Sequence, residues 1–182
     1  MKTLTIIGAS GFLGRSLIDY AKENSLLRWK INKIISISRR KIHEKNKKGF
    51  QVKYITGDII ELRKIFKTDF IIYAVNTNND KNDLKAIKNF ALLLKQLPKK
   101  TKILFTSSGA VYGGIKSKKN YAKSKLMIEK IFKKLGKEGY KVSIARLFTF
   151  IGKRILNNKK YAISDFIRSG LNKKKNFSKI KI

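Results

Sequence analysis

A chain of 182 residues, 42% of them hydrophobic, can bury the core of one domain but not comfortably of two. The absence of cysteine excludes a disulfide framework, a thiolate nucleophile and a cysteine-based metal site, and no apolar run is long enough to span a bilayer. The net charge of +33 would suit a polyanion binder, but the lysines are spread along the chain without the arginine and aromatic interleaving of a dedicated nucleic-acid surface. Lysine far outnumbers arginine, isoleucine and asparagine are abundant, and there is one proline, so compositional bias accounts for the charge. The expectation is salt-sensitive, non-specific attraction to polyanions and no specific nucleic-acid partner.

The start, "MKTLTIIGAS", lacks the long apolar core of a signal peptide, so a soluble cytoplasmic protein with no membrane partner is expected. "KTLTIIG" reads as a short buried strand, followed by a glycine turn and the helix "FLGRSLIDYAKEN". "NKIISIS" and "QVKYI" are the next two strands. "DIIELRKIF" reads as a short helix, and "DFIIYAV" as the fourth strand. "NDLKAIKNFALLLKQL" has apolar residues at helical spacing and stops before Pro98. "TKILFTS" is the fifth strand, "NYAKSKLMIEKIFKKLGKEG" a helix that fades at Gly136 and Gly139, and "KVSIARLF" the sixth strand. Strands and helices alternating at this spacing predict a doubly wound parallel sheet, covered on both faces, with the first strand central. Residues 1–152 carry this pattern. Residues 153–182 break it, with one helix-like stretch, "YAISDFIRSGL", and a basic tail.

The turn "GASGFLG" places Gly8, Gly11 and Gly14 between the first strand and the first helix. Gly8 permits the tight turn, Gly11 lets a pyrophosphate approach the backbone, and Gly14 lets the helix pack close to the sheet. The helix N-terminus adds amide donors and partial positive charge. Gly8, Ser10, Gly11, Phe12, Leu13 and Gly14 are therefore candidate dinucleotide-binding residues. A purely structural turn is the alternative. The second strand ends in "SISRR", with no acid to bind the ribose hydroxyls of NAD. Arg39 and Arg40 suit the 2′-phosphate of NADP, two more cations in a basic chain being the alternative, so the expected cofactor is NADP or NAD, with NADP favoured.

"IIGASGFLGRSL", "FTSSGAVYGG" and "YAKSKLMIEK" together resemble the short-chain dehydrogenase/reductase superfamily, in its extended branch of nucleotide-sugar epimerases, dehydratases and reductases. The resemblance covers residues 1–170 and implies a Rossmann-type fold whose substrate domain is largely missing, 153–182 being the start of a truncated one. It assigns Asp58 and Ile59, after the third strand, to contact with the adenine. A helix-capping role for Asp58 is the alternative. It assigns Ser108, before "VYG", as the catalytic hydroxyl, and Tyr121 with Lys125 as the catalytic pair. Tyr112 also has a lysine four residues on, Lys116, but Gly113 and Gly114 intervene and no shared helical face joins them. Tyr121 and Lys125 open an amphipathic helix, where residues four apart share a face. A phenol near its ordinary pKa of about 10 is a poor base at neutral pH, and an adjacent ammonium favours the phenolate. Tyr121 could then move a proton to or from a sugar oxygen while Lys125 holds the nicotinamide ribose.

The sequence also departs from the extended branch. The loop "GGIKSKKN" is short and lacks proline, Thr149 stands where that branch has asparagine, and "YAVN" only loosely matches the small-residue end of the fourth strand. "SSGAVYG" lacks the acidic pair that the resemblance attaches to 4,6-dehydratases, which leaves a 4-keto reductase or a 4-epimerase acting on a nucleotide-activated sugar. The resemblance further implies a homodimer through the helices near 82–97 and 120–135. Two other readings stay open: an inactive cofactor-binding remnant, and a basic polyanion-binding protein on the same fold. His43 sits in a basic loop with no cluster of ligands around it, so no metal is expected.

Overall fold

Strands β1 (Lys2–Ile7), β2 (Ile31–Ser38), β3 (Gln51–Thr56), β4 (Phe70–Tyr73), β5 (Lys102–Ser108) and β6 (Lys141–Leu147) form one parallel sheet in the order β3-β2-β1-β4-β5-β6. The expected doubly wound order, with β1 central, is therefore present in this computed structural model. The structure describes residues 1–24, 26–42, 51–77, 79–113 and 119–148, with 167 and 170. The chain divides into two compact units, Met1–Phe148 and Thr149–Ile182, and the sheet belongs to the first. His43, Gly114, Lys116 and Thr149 lie outside the described residues. Of the expected helix "YAISDFIRSGL", only Ile167 and Gly170 are described, and both are helical.

Alternation along the strands divides the core between the two faces. Leu4 and Ile6 of β1 and Ile34 of β2 pack with Ile18 and Ala21 of helix α1 (Phe12–Asn24). Ile7, Ile35, Ile37, Ile71 and Tyr73 point the other way. They meet Ile87, Phe90 and Leu94 of α2 (Asp80–Leu94), and Ile128 and Phe132 of α3 (Lys119–Lys137). An aromatic cluster holds this second face. Tyr73 lies 4.8 Å from Phe90 and 5.5 Å from Phe132 between ring centroids, and Phe105 stacks on Phe132 at 4.7 Å. α2 starts on an Asn79 cap, whose side-chain oxygen accepts from the Asn82 amide at 3.0 Å.

The expected helix over "DIIELRKIF" does not form. The chain makes one turn, in which the Glu61 and Leu62 amides donate to the Asp58 carbonyl, and then runs without regular structure to β4. Its backbone groups find partners on α2 and just beyond the end of that helix instead. The Asn89 side-chain amide donates to the carbonyls of Ile59 at 2.7 Å and Leu62 at 2.8 Å. Gln96 donates to the Arg63 carbonyl at 3.0 Å and accepts from the Ile65 amide at 3.3 Å. These bonds satisfy polar groups that a helix would have paired internally, while Ile59 and Ile65 enter the core. Asn89→Ala strands two carbonyls. We expect a loss of about 1–3 kcal/mol, read as a midpoint lower by roughly 3–10 °C in thermal melting. A midpoint within a degree of wild type would show that α2 does not hold this segment.

Among the described residues, no helix is long and apolar enough to cross a membrane.

Candidate active site

Because all six strands are parallel, their C-terminal ends share one edge of the sheet. The glycine turn lies there, and its three glycines differ in what demands them. Gly8 has φ +87°, and a Cβ on it would stand 2.5 Å from the Ala74 carbonyl oxygen. A Cβ on Gly14 would stand 2.6 Å from the Ala9 Cα and 2.7 Å from the Gly8 oxygen. The protein itself needs both. A Cβ on Gly11 would meet one atom, the Gly8 oxygen at 3.2 Å. Gly11 is exposed and directly precedes the first turn of α1. Its missing side chain leaves the room in which a phosphate can approach a helix N-terminus. Ser10, Phe12 and Leu13 flank it, each partly exposed.

Beyond β2, Arg39 and Arg40 are exposed, and the Ser38 hydroxyl donates to the Arg40 carbonyl at 2.8 Å. Arg39 Nε lies 4.0 Å from Asp58 Oδ2. Asp58 Oδ1 accepts from the Ile60 amide at 2.9 Å, so the carboxylate holds its own turn as well as facing the arginine. The Ile59 side chain is in the core, and its carbonyl accepts from the Asn89 side-chain amide.

Ser108 ends β5 in extended backbone, and its hydroxyl accepts from the Ala110 amide at 3.2 Å as the chain enters a 3₁₀ turn over Gly109–Tyr112. α3 packs against both β5 and this turn. Tyr121, in the first turn of α3, is 37% exposed, whereas Lys125, one turn on, is 3% exposed. Lys125 Nζ donates to the Val75 carbonyl at 3.3 Å and lies 5.3 Å from the Phe105 ring centroid and 5.7 Å from that of Tyr121. Burial pushes the Lys125 ammonium below its ordinary pKa, and the Asp83 carboxylate works against that shift. Tyr112 stays in the turn after Ser108, with its ring stacked on Phe148.

Two polar groups at this edge escape a reading by motif. Asp83, on the first turn of α2, is 3% exposed, and its Oδ1 accepts from both the amide and the hydroxyl of Thr77 at 2.7 Å. It thereby fixes the loop after β4 whose Val75 carbonyl receives Lys125. Glu129 is buried among Ser107 and Arg146. Its signal was an acid inside the apolar stripe of α3, between Ile128 and Phe132.

The profile of the NAD dependent epimerase/dehydratase family matches residues 4–182. No curated protein matches by sequence. Among solved structures, a nucleoside-diphosphate-sugar epimerase from Agrobacterium tumefaciens is similar at a TM-score of 0.64 and 19% identity, over 91% of this chain and 57% of that one. A dTDP-glucose 4,6-dehydratase from Streptomyces venezuelae, solved with NAD and TYD bound, is similar at 0.65 and 16%, over 93% of this chain and 62% of that one. An aureusimine biosynthetic cluster reductase domain gives 0.63 and 15%, over 92% of this chain and 56% of that one. The chain thus spans less than two thirds of the length of these structures, whose likeness shows the fold. From the match over residues 4–182, the chain belongs to the NAD dependent epimerase/dehydratase family.

Proposed function

We propose that the chain is an NADP-preferring oxidoreductase acting on a nucleotide-activated sugar, as a 4-keto reductase or a 4-epimerase, with Ser108, Tyr121 and Lys125 carrying the proton chemistry. The observation that carries this reading is a buried ammonium beside a tyrosine ring, on a helix packed against the Ser108 end of β5. The names of the epimerase and dehydratase it resembles in fold support the substrate class. A bound nicotinamide dinucleotide would supply or take up the hydride. Around it, the chain's own groups would handle the proton. Tyr121 passes it to or from the sugar oxygen, Ser108 hydrogen-bonds that oxygen, and the charge on Lys125 favours the phenolate. Gly11 and the first turn of α1 would take the pyrophosphate, and Arg39 and Arg40 the 2′-phosphate.

The test is thermal melting at raised salt with NADPH, NADH or neither, followed by turnover with a panel of nucleotide-4-keto-sugars and nucleotide-hexoses. A ligand that binds only the folded state raises the midpoint. NADPH should shift it more than NADH. In the double variant Arg39→Ala/Arg40→Ala the NADPH advantage should fall by about tenfold or more in affinity, from the loss of charge-assisted bonds of roughly 1.5–3 kcal/mol, with NADH unchanged. Equal shifts by the two cofactors in the wild type would remove the NADP preference. No shift with either would remove the dinucleotide site. A shift without turnover on any of these sugars would leave a cofactor-binding chain and no enzyme.

A further inference from the structure

A carboxylate inside the apolar stripe of a helix is costly unless it is fully paired. Glu129 lies one helical turn beyond Lys125 on α3, next to Ile128 and one turn before Phe132 of the core, and is 1% exposed. Its pairing is complete. Oε1 accepts from the Ser107 hydroxyl at 2.6 Å and from Arg146 Nε at 2.9 Å, and Oε2 accepts from Arg146 Nη2 at 2.7 Å. Ser107 and Arg146 stand opposite each other across the β5–β6 ladder, and Ser107 immediately precedes Ser108. The guanidinium carbon lies 4.6 Å from the Tyr112 ring centroid, and Tyr112 stacks on Phe148 at 5.8 Å and 8°. The hydrogen bonds from Arg146 and Ser107 hold the Glu129 carboxyl below its ordinary pKa against the opposing effect of burial, so the pair stays ionised.

Anchoring α3 does not require this carboxylate, because Ile128, Phe132 and Leu135 already bury its apolar face. A buried ion pair is a poor source of stability compared with an apolar replacement of the same shape. What the two-pronged guanidinium bond adds is a fixed geometry, where apolar contacts can slide. We propose that Glu129 is a positioning residue, which by gripping Ser107 and Arg146 sets the register of α3 on the sheet and so places Tyr121 and Lys125 relative to Ser108. This rests on the reading that those three residues and a nicotinamide dinucleotide meet at this edge. The Lys125 bond to Val75, at 3.3 Å, is already long, so a small slip of α3 would break it.

The test separates the two halves of the cofactor. NADPH and NADH are titrated by fluorescence, and their adenylate halves, 2′,5′-ADP and ADP, by competition, against the wild type, Glu129→Gln and Ser107→Ala. Glu129→Gln keeps the shape but turns an amide donor toward Arg146. Ser107→Ala removes one hydrogen bond to Glu129 and spares the ion pair, so it is the milder change and carries the test if the first variant does not fold. The expected result is adenylate affinity within about twofold of wild type in both variants. Whole-cofactor affinity falls by about tenfold or more in Glu129→Gln and by an intermediate factor in Ser107→Ala, because a misplaced helix costs the nicotinamide end alone. A purely structural role would lower both affinities together with the melting midpoint. That outcome, or unchanged whole-cofactor affinity in whichever variants fold, overturns the proposal. A wild type that binds none of the four ligands sinks the dinucleotide reading itself, and the positioning role with it.

Discussion

Tyr121→Phe is expected to lower turnover by about a hundredfold to ten-thousandfold, the range for loss of a positioned proton donor or acceptor, while the cofactor-induced rise in melting midpoint is largely kept. The substitution removes one oxygen from a side chain that is 37% exposed in the first turn of α3, so it opens no core cavity. The ring that faces the Lys125 ammonium at 5.7 Å stays in place. What disappears is the hydroxyl that would carry the proton. The environment suits that role because two opposed influences act on Lys125. Burial disfavours its charge and Asp83 favours it, and a lysine that keeps its charge stabilises a neighbouring phenolate. Steady-state kinetics on the sugar that the panel identifies, with melting in parallel, make the measurement. Turnover within threefold of wild type would take Tyr121 out of the chemistry, and loss of the cofactor shift as well would make it a binding residue first.

The second large effect comes from comparing Gly14→Ala with Gly11→Ala. At position 14 the new methyl would stand 2.6 Å from the Ala9 Cα, 2.7 Å from the Gly8 oxygen and 2.9 Å from the Ala9 carbonyl carbon. All three are backbone atoms and cannot step aside as a side-chain tip can. Helix α1 must lift from the turn. Overpacking of this kind costs about 1–3 kcal/mol, or a midpoint lower by roughly 3–10 °C, and cofactor response should fall with it. At position 11 the methyl would meet only the Gly8 oxygen, at 3.2 Å, so the midpoint without cofactor should stay within about 2 °C of wild type, the shift expected from roughly 0.5 kcal/mol. Yet the methyl would fill the space that the proposed pyrophosphate site needs, so the shift with NADPH or NADH should be lost. Equal loss of stability in both variants would mean that Gly11 serves the fold alone. A full cofactor shift in Gly11→Ala would place the pyrophosphate elsewhere.

The elements that were legible in the sequence are those whose signals are local. Helix α1 begins and ends where "FLGRSLIDYAKEN" does, and the order of the sheet follows from strand and helix alternation. The same holds for Tyr121 and Lys125, since spacing four on one helix implies a shared face whatever surrounds it. "DIIELRKIF" shows the limit. Its pattern favours a helix, but its backbone is bound by Asn89 and Gln96, between 27 and 33 residues away in sequence. No local window contains those partners, and their side-chain amides outweigh a weak local preference. Glu129 is the same lesson at the site. Its place in the apolar stripe of α3 marks an acid due for burial, but only the docking of β5 and β6 supplies the hydroxyl and the guanidinium that make that burial possible. By itself, then, the amino-acid sequence determined the period of its elements, the backbone freedom at the glycine turn and the facing of Tyr121 with Lys125, all set by contacts within a few residues. The tertiary structure decided which polar groups are buried and by whom they are held, because a buried charge is paid for only by partners that folding brings from elsewhere in the chain.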